Sequence, residues 1–321
     1  MDTVYNQITL LSFGSDLEGK NKHTLLMKYV SVWSNISNKS NKLNSYNQWI
    51  PFTDNHNHPI IIGIERDQDN YIGVRALTGG SKNHLLFIIC LGNNISVFDL
   101  NAFQFIKHNF LPAGGYYIEY PCFVSNLENG QEQEMIKTNK QNCQMLFFCR
   151  KAGSLIEYDE DKNIFRFYQL PVCDDIALFN AYAYVCINDV ILFFGGSNYP
   201  DISRSVYKYS IREKKWVTFE NILPNLLYDC VAILSEEDND IYIIGGLDNK
   251  KKAASTHMKT RLRVWDPSQL VIICLYFEEA KLKYLVNHAL DMILILILFH
   301  NHEIWQFFRI IFKIYIKKVN N

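Results

Sequence analysis

Short apolar runs, each closed by a glycine- or asparagine-rich turn, follow one another along most of the chain. Ile8–Phe13, Leu85–Leu91, Met145–Cys149, Val190–Phe194 and Ile241–Ile244 are the clearest. They are rich in aliphatic, β-branched and aromatic residues and too short for buried helices, so the pattern predicts strands. Ile60-Ile61-Ile62 reads as a further strand after a polar turn. Leu85–Leu91, the turn Gly92-Asn93-Asn94 and Ile95–Asp99 predict a β-hairpin by their turn chemistry. Met145–Cys149, Lys151-Ala152-Gly153 and Ile156–Asp159 predict a second. Asn35–Asn47 is a polar run of Asn, Ser and Lys and reads as an exposed loop. The class predicted is all-β.

The runs also repeat in a fixed order. Val190–Phe194 is followed by Gly195-Gly196, then Tyr209, Trp216 and Leu223-Pro224. Ile241–Ile244 is followed by Gly245-Gly246 and Trp265. An aromatic residue paired with a small acceptor recurs as Trp33-Ser34, Phe98-Asp99, Tyr158-Asp159, Tyr209-Ser210 and Trp265-Asp266. Leu-Pro recurs at 111-112, 170-171 and 223-224. Three markers that keep one order at spacings of about 50 to 65 residues signal a repeat architecture. The order resembles the kelch repeat of β-propellers. Gly14-Ser15 reads as a first copy of the glycine pair, and Trp49 with Pro51 stands where Trp216 and Pro224 close a later unit. Gly79-Gly80 precedes its strand and is not counted.

The resemblance covers about Ile8 to Cys274 in five recognisable units and implies a propeller over residues 1–275. Propellers of this family usually have six or seven blades, so the chain is expected to be incomplete or to hold further strands. The resemblance also implies that aromatic and proline residues pack each blade on the next, and that the glycine pairs let inner strands crowd toward the axis.

Composition leaves this picture standing and narrows the function. Hydrophobic residues make up 48% and charged residues 20%, enough for a large core. The net charge of −1 provides no global attraction to nucleic acid. The eight cysteines include no C-x-x-C pair and several lie in apolar runs, so they are read as buried thiols in a reducing, cytoplasmic setting. The N-terminal residues Met1–Gln7 contain neither a basic nor an apolar signal region.

Little in the sequence points to catalysis. There is no G-x-S-x-G, P-loop, strand-linked G-x-G-x-x-G or H-E-x-x-H. Asp54-Asn55-His56-Asn57-His58 has metal-ligand residue types but no further ligand cluster, and it is read as a solvated turn. The family's copper-dependent sugar oxidases require paired Tyr and His ligands. Only His84, His108 and His257 fall between Ile60 and Cys274, so no such site is assigned. No catalytic, cofactor or metal residue is expected.

The expected function is a non-catalytic protein-interaction module. The alternatives are a propeller enzyme of the galactose oxidase type and a membrane-tethered propeller. Recognition is placed in the loops after the two glycine pairs, on Tyr199, Asp201 and Arg204 and on Lys250, Lys251 and Lys252, because exposed Tyr and Arg are common hot-spot residues. Residues 276–321 form an apolar C-terminal segment. Polar residues interrupt it between 292 and 316 before a full membrane span is reached. A misread gene end or a buried strand pair is expected over a membrane helix.

Overall fold

The computed structural model describes residues 8–16, 19–29, 48–66, 68–126, 142–198, 200–226, 228–235, 239–247 and 258–265. Two compact units divide the chain, Met1–Thr260 and Arg261–Asn321. The first is a five-blade β-propeller arrangement of antiparallel sheets. Blade 1 holds β1 (Ile8–Gly14), β2 (His23–Tyr29) and β3 (Ile50–Pro51). Blade 2 holds β4 (Asn70–Gly79), β5 (Leu85–Leu91), β6 (Asn94–Asp99) and β7 (Gln104–Phe110). Blade 3 holds β8 (Cys122–Ser125), β9 (Asn142–Cys149), β10 (Ala152–Asp159) and β11 (Ile164–Gln169). Blade 4 holds β12 (Ala183–Ile187), β13 (Val190–Phe194), β16 (Ser205–Ser210) and β17 (Lys215–Ile222). A small ribbon of β14 (Ser197–Asn198) and β15 (Asp201–Ile202) is inserted in it. Blade 5 holds β18 (Val231–Ser235), β19 (Asp240–Ile244) and β20 (Met258–Arg261). In the second unit the described residues are Arg261, the last of β20, and one helical turn, α1 (Leu262–Trp265).

The apolar runs of β5, β9, β13 and β19 are the second strands of blades 2 to 5, and burial on both faces explains those of β5, β9 and β13. Leu85, Phe87 and Ile89 of β5 pack with Met145, Phe147 and Cys149 of β9. The alternate residues Leu86, Ile88 and Cys90 pack toward Leu11 and Phe13 of β1. On β9, Leu146 and Phe148 face Ile191 and Phe193 of β13. β5 and β9 therefore each serve two inter-blade cores at once, which keeps Leu85–Cys90 and Met145–Cys149 free of polar residues.

The aromatic–acceptor marker has one physical role in three blades. Phe98, Tyr158 and Tyr209 are the penultimate residues of the third strands β6, β10 and β16, and all three are buried. The next residue caps the turn into the fourth strand. Asp99 Oδ1 accepts the amides of Asn101 (2.8 Å) and Ala102 (3.0 Å), Asp159 Oδ1 that of Lys162 (3.1 Å), and Ser210 Oγ that of Glu213 (3.2 Å). Replacing Asp99 with Ala removes two charge-assisted bonds and is expected to cost about 1–3 kcal/mol in a urea titration.

The Leu-Pro marker works through its leucine. Leu111, Leu170 and Leu223 are buried while their prolines are exposed. Each leucine amide donates back into its own blade, to Asn93 O (2.8 Å), Gly153 O (2.9 Å) and Arg204 O (2.8 Å). At the junction of blades 3 and 4 the proline also meets the aromatic of the next blade: Trp216 Nε1 donates to Pro171 O at 2.8 Å. An aromatic and a proline thus meet between blades 3 and 4 as expected, while the leucine is the buried member of the Leu-Pro marker.

Other expectations are also corrected. Ile60–Ile62 is not a strand: it runs into a turn closed by Gly63 (φ 79°), with the Ile62 amide held by the buried Thr24 hydroxyl. Trp49 is 48% exposed and makes no core like that of Trp216, and Pro51 is paired in β3 instead of following the last strand. Gly14 ends β1 opposite His23 without a left-handed backbone, so that position has no special need for glycine. Trp265 lies in α1 and not at the end of a third strand, while Asp266, like Trp33-Ser34, lies outside the described residues.

All seven described cysteines are free thiols. Burial pushes Cys90 from 9.0 up to about 12, and Cys149, Cys186 and Cys230 up to about 11. These groups hold their protons more tightly folded than unfolded. The stability they support is therefore complete below pH 9 and declines as pH rises from about 9 toward 11–12, by at most about 1.4 kcal/mol per pH unit for each thiol. Urea midpoints should be level from pH 7 to 8.5 and fall steadily above pH 9. No helix among the described residues is long and apolar enough to cross a membrane, and 276–321 lies outside them.

Candidate functional site at the centre of the loop face

Chain direction defines one face. In each four-stranded blade the turn after the second strand and the segment leaving the fourth strand lie at the same end of the sheet. Hydrogen bonds tie these pieces together: Ile118 N to Asn93 Oδ1, Asn180 to Ser197 in both directions, and Tyr228 to Leu247 in both directions. The segments after the fourth strands then turn inward to start the first strands, which lie innermost. β4 packs against β8 and β12 against β18.

The glycine pairs belong to this junction. Gly196 (φ 110°) and Gly246 (φ 93°) sit against the incoming segment of their own blade, where a Cβ would lie 3.0 Å from Asn180 O and 2.7 Å from Tyr228 O. The next residues, Ser197 and Leu247, donate to those same carbonyls at 2.8 and 2.9 Å. The missing side chain is what lets the two segments pair.

A second recurrence is invisible in residue type. Two positions before regular pairing starts at Arg75, Cys122, Ala183 and Val231 stand Gly73, Tyr120, Ala181 and Asp229, all left-handed at φ 63°, 47°, 51° and 57°. Three are not glycine, so the backbone stores strain of about 1–2 kcal/mol at each, held by the surrounding bonds. One such bond runs from Asp229 N to Ala181 O at 2.7 Å and links successive blades. Gly73 must lack a side chain because the Tyr120 ring occupies the place of its Cβ.

These kinks deliver polar side chains from four blades to one place. The Arg75 guanidinium lies over the Tyr120 ring, 5.7 Å from its centroid, and its charge opposes the rise that burial gives the Tyr184 phenol. Tyr184 Oη reaches Phe123 O at 3.5 Å, and Asn180 Nδ2 reaches Glu119 Oε2 at 3.4 Å. Burial raises Asp229 above the usual carboxylate range, and Arg75 opposes that rise. Burial, then the charge of Asp229, raises Tyr120, and burial raises Tyr184 to about 12. At neutral pH both phenols are donors. The cluster is half-buried, and combines a guanidinium fork, two phenols and carboxylates, a set suited to binding polar groups.

The loops around it carry exposed apolar groups. Tyr116 (41% exposed) and Tyr117 (73%) stand on the segment between β7 and β8, and Leu178 stands on the one between β11 and β12. Of the residues expected to bind partners, Asp201 is exposed in β15 on the same face. Arg204 is a strut: its Nε donates to Leu223 O at 2.6 Å and its Nη2 to Pro224 O at 2.9 Å. Tyr199, Lys250, Lys251 and Lys252 lie outside the described residues. Sequence reasoning missed Arg75, Tyr120, Tyr184 and Asp229. The Gly114-Gly115-Tyr116-Tyr117 run after Leu111-Pro112 was the one local signal for the aromatic rim. His84 lies 3.7 Å from Glu160 and His108 2.8 Å from Ser96 Oγ, both away from the tyrosines of the cluster.

No protein-family model and no curated protein matches the chain. Among solved structures the chain is similar to one described as "Structure of YjhT", with 12% identity, 79% of this chain and 78% of that chain covered, and a TM-score of 0.47.

Proposed function

We propose that the chain is a kelch-type β-propeller working as a non-catalytic protein-interaction module, with its partner bound on the loop face. The kelch reading is supported by the shared roles of Gly196 and Gly246 and by the repeated aromatic–acceptor and Leu-Pro positions. The observation that carries the interaction reading is the exposed pair Tyr116 and Tyr117 beside a half-buried Arg–Tyr–Asp centre. Aromatic anchors next to an arginine are the usual make-up of an interface hot spot. Free, buried thiols suit a reducing compartment, and the cytoplasm is the proposed location.

The test is capture from native extract with three baits: the intact chain, Tyr116→Ser with Tyr117→Ser, and Arg212→Ala with Lys214→Ala in the turn between β16 and β17 at the opposite end. A protein held by the intact chain and by the opposite-end variant, and lost from the tyrosine variant, supports the proposal. Loss from the opposite-end variant with full retention by the tyrosine variant overturns it.

A further inference from the structure

We propose that the turn Asp54–His58 is a solvent-facing site for a borderline divalent transition-metal ion, Zn²⁺ or Cu²⁺, with one carboxylate and two imidazoles as ligands. The sequence alone favours a plain solvated turn here. The structure adds convergence: one ligand atom from each of Asp54, His56 and His58 lies within 4.8 Å of the others. The two imidazoles stand side by side, 6.0 Å between centroids and 25° between planes.

The backbone beneath them is closed on itself. Asp54 N donates to His58 O at 3.0 Å, Asn57 adopts φ 65°, and Thr53 bridges to Pro59. Asp54 Oδ1 accepts the amides of His56 (2.8 Å) and His58 (2.9 Å), which fixes the carboxylate plane. Oδ2 is turned to His58 Nδ1 at 3.1 Å. A metal ion would lie between these two atoms. His58 is 76% exposed and His56 is also exposed, so both rings are free to close by rotation about their side-chain bonds. Three protein ligands leave positions for water or for a donor from outside, as in open sites and unlike closed structural ones. Imidazole favours Zn²⁺ and Cu²⁺ over Mg²⁺ and Ca²⁺, which demand more oxygen ligands. The site rests on its own residues and not on the protein-interaction reading.

The experiment is isothermal titration of the chelator-stripped, full-length chain with ZnCl₂ and CuCl₂, and with MgCl₂ and CaCl₂ as controls. The same titrations are run on His56→Ala, His58→Ala and the double variant, whose fold is checked by circular dichroism. The expected result is uptake of Zn²⁺ and Cu²⁺ that the double variant loses. Each single variant should weaken it more than about 10-fold, the lower end of what even an outer-sphere change costs. The Cu²⁺ form should show nitrogen coupling from two imidazoles by electron paramagnetic resonance. No uptake by the intact chain, or uptake unchanged in a folded double variant, overturns the proposal.

Discussion

Phe148→Ala is expected to lower unfolding free energy by about 3–5 kcal/mol, the range for truncating a fully buried aromatic side chain. Phe148 is 1% exposed, on β9 of blade 3, and its ring meets three rings of blade 4: Tyr209 at 4.7 Å, Trp216 at 5.2 Å and Phe193 at 6.0 Å. Those contacts are edge-on, the arrangement that adds about 0.5–1.5 kcal/mol per aromatic pair beyond area burial. The Phe148 carbonyl also accepts the buried Tyr182 hydroxyl at 2.9 Å, a bond the substitution leaves in place. The loss should therefore come from the cavity, and Phe148→Leu, which leaves less of it unfilled, should cost clearly less. Single domains typically hold about 5–15 kcal/mol, so the alanine variant is expected to unfold at much lower urea. Trp216 lies in the same contact, and its fluorescence should report the change directly. A loss below about 1 kcal/mol would contradict the inter-blade packing described.

Gly246→Ala is the second large effect. A Cβ there would run into the Cys230 sulfur and approach Tyr228 O to 2.7 Å, on a backbone at φ 93°. Left-handed strain of about 1–2 kcal/mol adds to overpacking of about 1–3 kcal/mol, giving a loss of about 2–5 kcal/mol. The neighbouring Gly245 provides an internal control. It has φ 73° but nothing within 4 Å of its Cβ position, so Gly245→Ala should cost only the conformational part, about 1–2 kcal/mol. Cys230→Ala combined with Gly246→Ala should recover part of the loss, because it removes one of the two obstructions. Equal costs for the two single glycine variants would contradict the close approach of the blade-5 segments.

The fold was legible where one chemistry repeats. Burial on both faces forces continuous apolar runs at β5, β9 and β13. The turn after the third strand asks for a short side-chain acceptor, met by Asp99, Asp159 and Ser210. The markers failed where a residue type recurs without its environment. Trp49 and Gly14 copy the letters of Trp216 and Gly195 but not their packing or backbone. Ile60–Ile62 has strand composition, yet Gly63 and Thr24 fold it into a turn.

The central cluster was unreadable for the opposite reason. One backbone position is filled by Gly73, Tyr120, Ala181 and Asp229, four residue types with nothing in common. What they share is a left-handed kink just before the first strand of a blade, and no local pattern encodes that. Arg75 and Asp229 stand far apart in sequence, at the starts of first strands in different blades, and Arg75 opposes the rise that burial gives the Asp229 carboxyl.

The loop face as the binding surface is tested most directly by hydrogen exchange of the full chain alone and with a captured partner bound. The account predicts slowed exchange at 113–120, 173–182 and 197–204, with no change at 99–103, 159–163 and 210–214. Protection confined to the second group, at the opposite ends of the same sheets, would contradict it.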